Sequence, residues 1–553
     1  MLVLLRTIIE ISIRRLIIFT FIYIILYIVL SNLVSQYFPE SLQQFQIIFF
    51  LLYIAILIQI LLVQYYKIKN ELDKNLFLFI PYLYSIAHVT TNISNFFSMA
   101  KENEDFPFIS FYFKKIDALR KRFKYSYPEV IRYVLSAIPE TEFKGFMERL
   151  ATALEVGEDL TEFLDREHKA YLEKYEASYK KSFENLRLLQ ELSLAFMSSL
   201  AFTFTLIILI PFLTGGNFYL LMIYFFIVFI STSITVYYLS KYLILEDPLW
   251  AKLKEKPEEY KKIYNLTILF ILLSFTIFLF LFGNGFHILY ATTIAIIPLA
   301  YISYRIKLLE KSLRTKEEKF AAFFESLFNL SEVYGNNQLK ILEHVRIHDF
   351  GELNEDIDRL YKRMSISRDY KTSWYYFLVE LGSNLAYKII GTFSKVLEYS
   401  GDVKEAGEKL YDVLIKILEM RDLKSQFIST FRGFNYGGFI AFSLVLFISI
   451  QILNVTYQMI TGLSTLTTTE LTGIIGLGIF TVEIDINLVE LIISIIVFIQ
   501  ALIVALSISN VTGGSKLGMF IDLMVLLLIA AGIHFLSYYF FGKILGGLSI
   551  VKT

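Results

Sequence analysis

Cysteine is absent from the 553 residues. That excludes disulfides, thiol catalysis and thiolate metal sites, and leaves the compartment open. A surplus of charge is missing too: 52 Lys and Arg balance 52 Asp and Glu. No whole-chain bias toward nucleic acid follows, and no nucleic-acid partner is expected. Nor is there a Gly-x-x-x-x-Gly-Lys-Ser/Thr loop to cradle phosphates. Gly513-Gly514-Ser515-Lys516 lacks the spacing, and Gly542-Lys543 is followed by Ile544. Energy for mechanical work must then come from a partner or a gradient, so neither a cofactor nor an enzymatic activity is expected.

What the chain has instead is apolar bulk. Hydrophobic residues make up 56% and aromatics 16%, and the mean hydropathy is +0.56. A soluble chain of this length needs more polar surface to cover its core. The 19% of charged residues is unevenly spread, as expected of membrane spans alternating with water-exposed domains. The expected fold class is an all-α polytopic membrane protein with about nine spans, near 16–36, 46–66, 194–213, 218–240, 265–283, 286–304, 435–455, 488–508 and 519–541. The stretch from Met1 to Arg15 leads into a long apolar run without a small-x-small cleavage site, so it reads as a retained first span.

Basic residues fix the expected orientation. Arg14 and Arg15 precede the first span, Lys67, Lys69 and Lys74 follow the second, and Arg305 and Lys307 follow the sixth. A fourth basic set, Lys241, Lys252, Lys254, Lys256, Lys261 and Lys262, follows the fourth span. The alternate loops 37–45, 214–217, 283–285 and 456–487 contain no Lys or Arg. The N-terminus is thus expected in the cytoplasm of a cell-membrane protein. The layout is a transmembrane pair at 1–66, a cytoplasmic domain at 67–193, a pair at 194–240, a linker at 241–264, a pair at 265–304, a second domain at 305–434 and three spans at 435–553. Lys543 and Lys552 breach the rule mildly.

Residues 67–193 and 305–434 read as helical bundles. Phe146, Leu150 and Leu154 recur every four positions, and Leu164, Tyr171, Tyr175 and Tyr179 continue such a face. The two halves echo each other as span, span, bundle, span, span, with the ninth span extra. Gly157-Glu158-Asp159-Leu160-Thr161-Glu162 has its counterpart in Ser400-Gly401-Asp402-Val403-Lys404-Glu405. In each, Gly takes the left-handed turn ending a helix, and Asp with Glu three residues on forms a capping box for the next. This implies a parallel duplication, distinct from the inverted repeat of many transporters. An ordinary helical hairpin turn would explain either copy alone.

With its flanks, from Phe146 to Leu164, the first copy resembles the core of the type II secretion F domain. It is most similar to the archaeal form in membrane platform proteins of type IV pili and the archaellum. The usual motif there is Ser-Gly-Gly-Asp-Leu before a helix. Asp159, Leu160, Phe163 and Leu164 match it in the first half, and Ser400, Gly401 and Asp402 in the second. Glu158 and Ser400 replace one glycine each, and Ala406-Gly407 stands where an apolar pair is expected. Resemblance covers most of the chain, including the segment from Asn510 to Gly518. It implies F-domain motif residues Gly157, Asp159, Glu162, Gly401, Asp402 and Glu405. It also implies a non-enzymatic platform that couples a hexameric cytoplasmic secretion ATPase to pilin-like subunits. Two F domains in one chain can replace a homodimer, or pair again as one.

Lys114, Lys115, Arg120, Lys121, Arg122 and Lys124 lie within eleven residues, opposed only by Asp117. A solvated helix face or one near anionic headgroups is the plain reading, and docking of an acidic ATPase surface the sharper one. The looser set Lys311, Arg314, Lys316, Lys319, Arg359, Lys362, Arg363 and Arg368 is interleaved with acids. His344 and His348 have zinc spacing but no further ligand, so no metal site is expected. His534 reads as a packed residue within the last span, while Glu490 and Asp522 sit near span ends, in reach of water. The spans read as continuous and nearly uncharged, which disfavours the alternative of a secondary transporter or channel. A lipid or glycan enzyme would need clustered acids, and Glu470, Glu483 and Asp485 are poor candidates.

Overall fold

The computed structural model describes residues 69, 71–73, 75–88, 90, 92–103, 106–214, 218–242, 248–251, 257–335, 337–367, 369–399, 403–463 and 485–550. The spans expected at 16–36 and 46–66, and most of 456–487, lie outside them. The described residues are helical, with one isolated bridge between Trp250 and Ser383 and no strand. In chain order the helices are α1 (75–88), α2 (Ile93–Lys101), α3 (Pro107–Phe123), α4 (Tyr127–Leu135), α5 (Glu142–Val156), α6 (Leu160–Thr214), α7 (Phe218–Tyr242) and α8 (Glu258–Gly283). Then come α9 (Ile288–Ala295), α10 (Ile297–Tyr334), α11 (Gln338–Val345), α12 (Asn354–Ile366), α13 (Tyr370–Leu381), α14 (Asn384–Tyr399), α15 (Val403–Leu463), α16 (Ile486–Thr512) and α17 (Met519–Ile550).

Seven helices among the described residues are long and apolar enough to cross a membrane. They coincide with the last seven expected spans, and the chain is a multi-pass membrane protein. One span departs from the expected continuity. The 286–304 stretch is broken between α9 and α10 at Ile296. Pro298 lacks the N–H that would bond back one turn, and its ring crowds that turn's carbonyl.

The chain divides into two compact units. Unit 1 comprises 1–176, 324–341 and 388–414; unit 2 comprises 177–323, 342–387 and 415–553. Both therefore draw residues from each of the 67–193 and 305–434 segments. Unit 1 is built on aromatic packing. Phe79 sits between Phe106 and Phe113, at 5.5 Å from each, and Phe97 stacks on Tyr127 at 4.2 Å. Local signals set the helix starts: Pro107 opens α3, Ser126 and Glu129 form a capping box at α4, and Thr141 caps α5. In unit 2, Phe204, Phe229, Phe439, Leu446, Ile496 and Leu526 belong to one continuous buried cluster.

The two longest helices, α6 and α15, pair in a regular way. In unit 1, Lys409 pairs with Asp165, 244 residues earlier. In unit 2, Phe183 stacks on Phe427 at 5.4 Å, and Thr205 meets Ser449, again 244 residues apart. Gly438 faces Leu194 closely enough that a Cβ there would come within 2.4 Å of Leu194 Cδ2. A constant difference of residue numbers is the mark of parallel helices; antiparallel ones would keep a constant sum. α7 and α16 behave likewise, pairing Ser233 with Gln500 and Ser240 with Ser507, both 267 residues apart.

Candidate functional site

The first motif turn is fully described. Gly157 ends α5 with φ +77°, its N–H donating to the Ala153 carbonyl. Glu158 N–H donates to the same oxygen at 2.9 Å. Asp159 then caps α6: Oδ1 accepts from Thr161 N at 2.7 Å and Glu162 N at 3.2 Å, and from the Thr161 hydroxyl. Those bonds, with a smaller contribution from His88, hold its carboxyl below the usual range. Glu162 enters through its backbone N–H. Across this turn Arg149 of α5 grips Glu167 of α6 with two bonds of 2.7 Å each. Glu167 is buried, and it raises the Arg149 guanidinium above its ordinary pKa. The hairpin is thus closed by a two-pronged ion pair whose carboxylate is buried and whose guanidinium reaches the surface.

Of the second motif, Gly401 and Asp402 lie outside the described residues, as does Ser400. Glu405 is described, and it reaches α1. Tyr84 Oη donates to Glu405 Oε2 at 2.7 Å, and His88 Nε2 stands 3.2 Å from the same oxygen. The Tyr84 and His88 rings meet edge-on at 4.7 Å. Lys409, one turn beyond Glu405, lies 4.3 Å over the Tyr84 ring and pairs with Asp165. Within unit 1, therefore, His88 faces Glu405 directly and acts on Asp159, which brings acids of both motif segments to one helix end. Tyr84 and His88 were missed in sequence because helix α1 carries no motif. The departure at Gly407 also has a physical cause: a Cβ there would lie 2.4 Å from the Phe328 Cβ. Phe328 fills the space an apolar side chain would need.

The basic run sits on α3 and the turn after it, but its members differ. Burial pushes Asp117 up, yet Lys101 at 2.5 Å and Lys121 at 3.0 Å hold its carboxyl below the usual range. Arg120 lies 4.3 Å over Tyr127 and bonds the Ser94 hydroxyl at 3.3 Å. Lys115 is half-buried. Lys114, Arg122 and Lys124 are exposed, in company with exposed Phe111, Phe123 and Tyr125. Lys124 takes φ +57° as the left-handed residue ending α3. Periodicity explains the dispersal, since successive residues of a helix step 100° apart.

Unit 2 gives both span-end acids partners, and corrects the reading of Asp522 as a group in reach of water. Asp522 is buried. It pairs with Lys307 at 3.2 Å and Arg432 at 3.1 Å, and accepts from Tyr436 Oη at 2.7 Å. Glu490 pairs with His534 at 2.8 Å and His287 at 3.2 Å. His534 is thus a partnered residue. These partners lie 44 to 215 residues away, beyond the reach of local pattern.

With this geometry in hand, comparison with known proteins decides the kinship. The chain is 27% identical over 489 residues to flagella accessory protein J of Methanocaldococcus jannaschii, covering 86% of each protein. The chain is a homologue of flagella accessory protein J. The Methanococcus voltae protein of the same name is 27% identical over 351 residues, 61% of this chain and 62% of that protein. No protein-family model matches the chain, and no solved structure matches it. The alignment to the M. jannaschii protein spans most of the chain, so homology to accessory protein J extends well beyond the motif turn.

Proposed function

We propose that this protein is the non-enzymatic membrane platform of an archaeal type IV filament machine, archaellum or adhesive pilus. In this reading it receives work from a hexameric cytoplasmic secretion ATPase and passes it to pilin-like subunits leaving the membrane. The observation that carries the proposal is the similarity to flagella accessory protein J along 86% of both chains. The F-domain resemblance of the two motif segments supports it, as does the lack of any phosphate-binding loop of its own.

The mechanism is a rigid-body one. α6 is 55 residues long and α15 is 61. Each begins at a motif segment and continues into an apolar stretch. In this reading the two helices carry force from the motif segments toward the apolar stretches. The parallel pairing of α6 with α15, at a separation within one residue of the 243-residue offset between Asp159 and Asp402, supports an ancestral duplication. Both segments 67–193 and 305–434 would then face the cytoplasm, as the basic loops imply. Lys114, Arg122 and Lys124 are the cations available to dock an acidic ATPase surface, while Lys121 is exposed but paired with Asp117, Arg120 is held by Ser94 and Tyr127 and Lys115 is half-buried. Co-purification with the secretion ATPase from detergent-solubilised membranes tests this. Loss of capture on reversing Lys114, Arg122 and Lys124 to Glu supports the patch as the dock, and unchanged capture retires it.

A further inference from the structure

Three helices of unit 2 bring His287, Glu490 and His534 together, a group the proposed function does not use. His287 caps α9, Glu490 lies in the first turns of α16, and His534 is in α17. Their ligand-capable atoms all lie within 4.8 Å of one another. Both imidazoles aim Nε2 at one carboxylate oxygen, Glu490 Oε1, at 3.2 and 2.8 Å. The two rings stack at 4.7 Å, which fixes their relative aim. Tyr290 Oη sits 2.8 Å from His534 Nδ1, the far side of that ring.

We propose that His287, Glu490 and His534 form a binding site for a zinc-class divalent transition metal. Neutral imidazole nitrogens and a carboxylate oxygen are ligands that zinc accepts, at bonds of about 2.0–2.2 Å. Tetrahedral geometry then places ligand atoms about 3.3 Å apart, close to the spacings seen. Three protein ligands leave a fourth position for water. Tyr290 supplies the outer partner that metal-bound histidine generally has: it accepts the Nδ1 proton and aims the ring. His287 Nδ1 now accepts from Leu289 N at a long 3.3 Å, so moving its proton to Nδ1 gives up only a weak cap. The His287 and Glu490 side chains are 26% and 24% exposed while His534 is 6% exposed. The site is therefore anchored on the inside by His534, with His287 and Glu490 forming its accessible side. The donor set excludes magnesium and calcium, which take oxygen ligands.

The test uses the full-length protein in detergent, with His344→Ala and His348→Ala introduced to remove a competing pair. Chelator-stripped protein is dialysed against zinc alone, and metal per chain is measured by mass spectrometry. The expected result is about one zinc per chain. His534→Gln or His287→Gln abolishes it, and Tyr290→Phe weakens affinity about tenfold. The thermal midpoint rises with zinc in the parent and not in His287→Gln, whose partly exposed position leaves folding intact. The proposal is overturned if the parent retains no zinc, or if the parent and His287→Gln retain it equally.

Discussion

Asp73 offers the sharpest test of the packing in unit 1. Its Oδ1 accepts from the Phe143 backbone N–H at 3.3 Å, at the start of α5. Burial raises its pKa to about 6 from 3.8, because desolvation outweighs the backbone bonds to Phe143 and Glu142 and the pull of Lys69. The folded chain thus holds the proton more tightly than the unfolded one. Its contribution to stability is complete below about pH 4 and is lost as pH rises through about 6. A difference of that size corresponds to about 3 kcal/mol between the two ends of the window. Asp73→Asn keeps an acceptor for Phe143 and removes the charge. Thermal unfolding of the detergent-solubilised protein from pH 4.5 to 8 is the assay. The variant should match the wild type near pH 4.5 and exceed its midpoint above pH 7. A variant less stable than wild type at pH 7.5 would refute the reasoning, since it would mean that the charged cap outweighs its desolvation.

Three further outcomes are expected. Arg149→Met leaves the buried Glu167 carboxylate without its partner and, with Arg149 itself 41% exposed, should cost about 1–3 kcal/mol, read as a fall in thermal midpoint that Glu167→Gln in the same chain partly restores. Gly157→Ala meets no atom within 4 Å but keeps φ +77°, so it should cost only about 1–2 kcal/mol. Gly407→Ala places its Cβ against Phe328 and should cost about 1–3 kcal/mol by overpacking; the pair distinguishes a backbone penalty from a steric one. A loss well above about 2 kcal/mol at Gly157, or none at Gly407, read from the thermal midpoints, would contradict that distinction.

How much of this was legible in the sequence depends on the range of the interaction. The seven described spans follow from runs of apolar residues alone. The Gly157–Asp159 turn was legible because its causes lie within six residues: a left-handed glycine and a carboxylate two positions on. Lys121 four residues after Asp117 is a helix-neighbour pair, a spacing present in the sequence although all six cations read there as one patch. Pro298 carried the signal for the break at Ile296. The contacts of Glu405 with Tyr84 and His88 were not legible, because a separation of over 300 residues leaves no periodic trace. His287, Glu490 and His534 were hidden for the same reason. Each is an ordinary residue until three helices place it, and only the fold turns a lone span histidine into a partnered one.

The platform reading rests on coupling to a motor, and that is the measurement to make. The intact protein is solubilised in detergent and passed over the immobilised hexameric secretion ATPase, beside a variant with Lys114, Arg122 and Lys124 changed to Glu. Stoichiometric capture of the wild type, lost in the variant with an unchanged thermal midpoint, is the predicted result. Failure of the intact, folded wild type to bind the ATPase under any nucleotide condition would contradict the central claim.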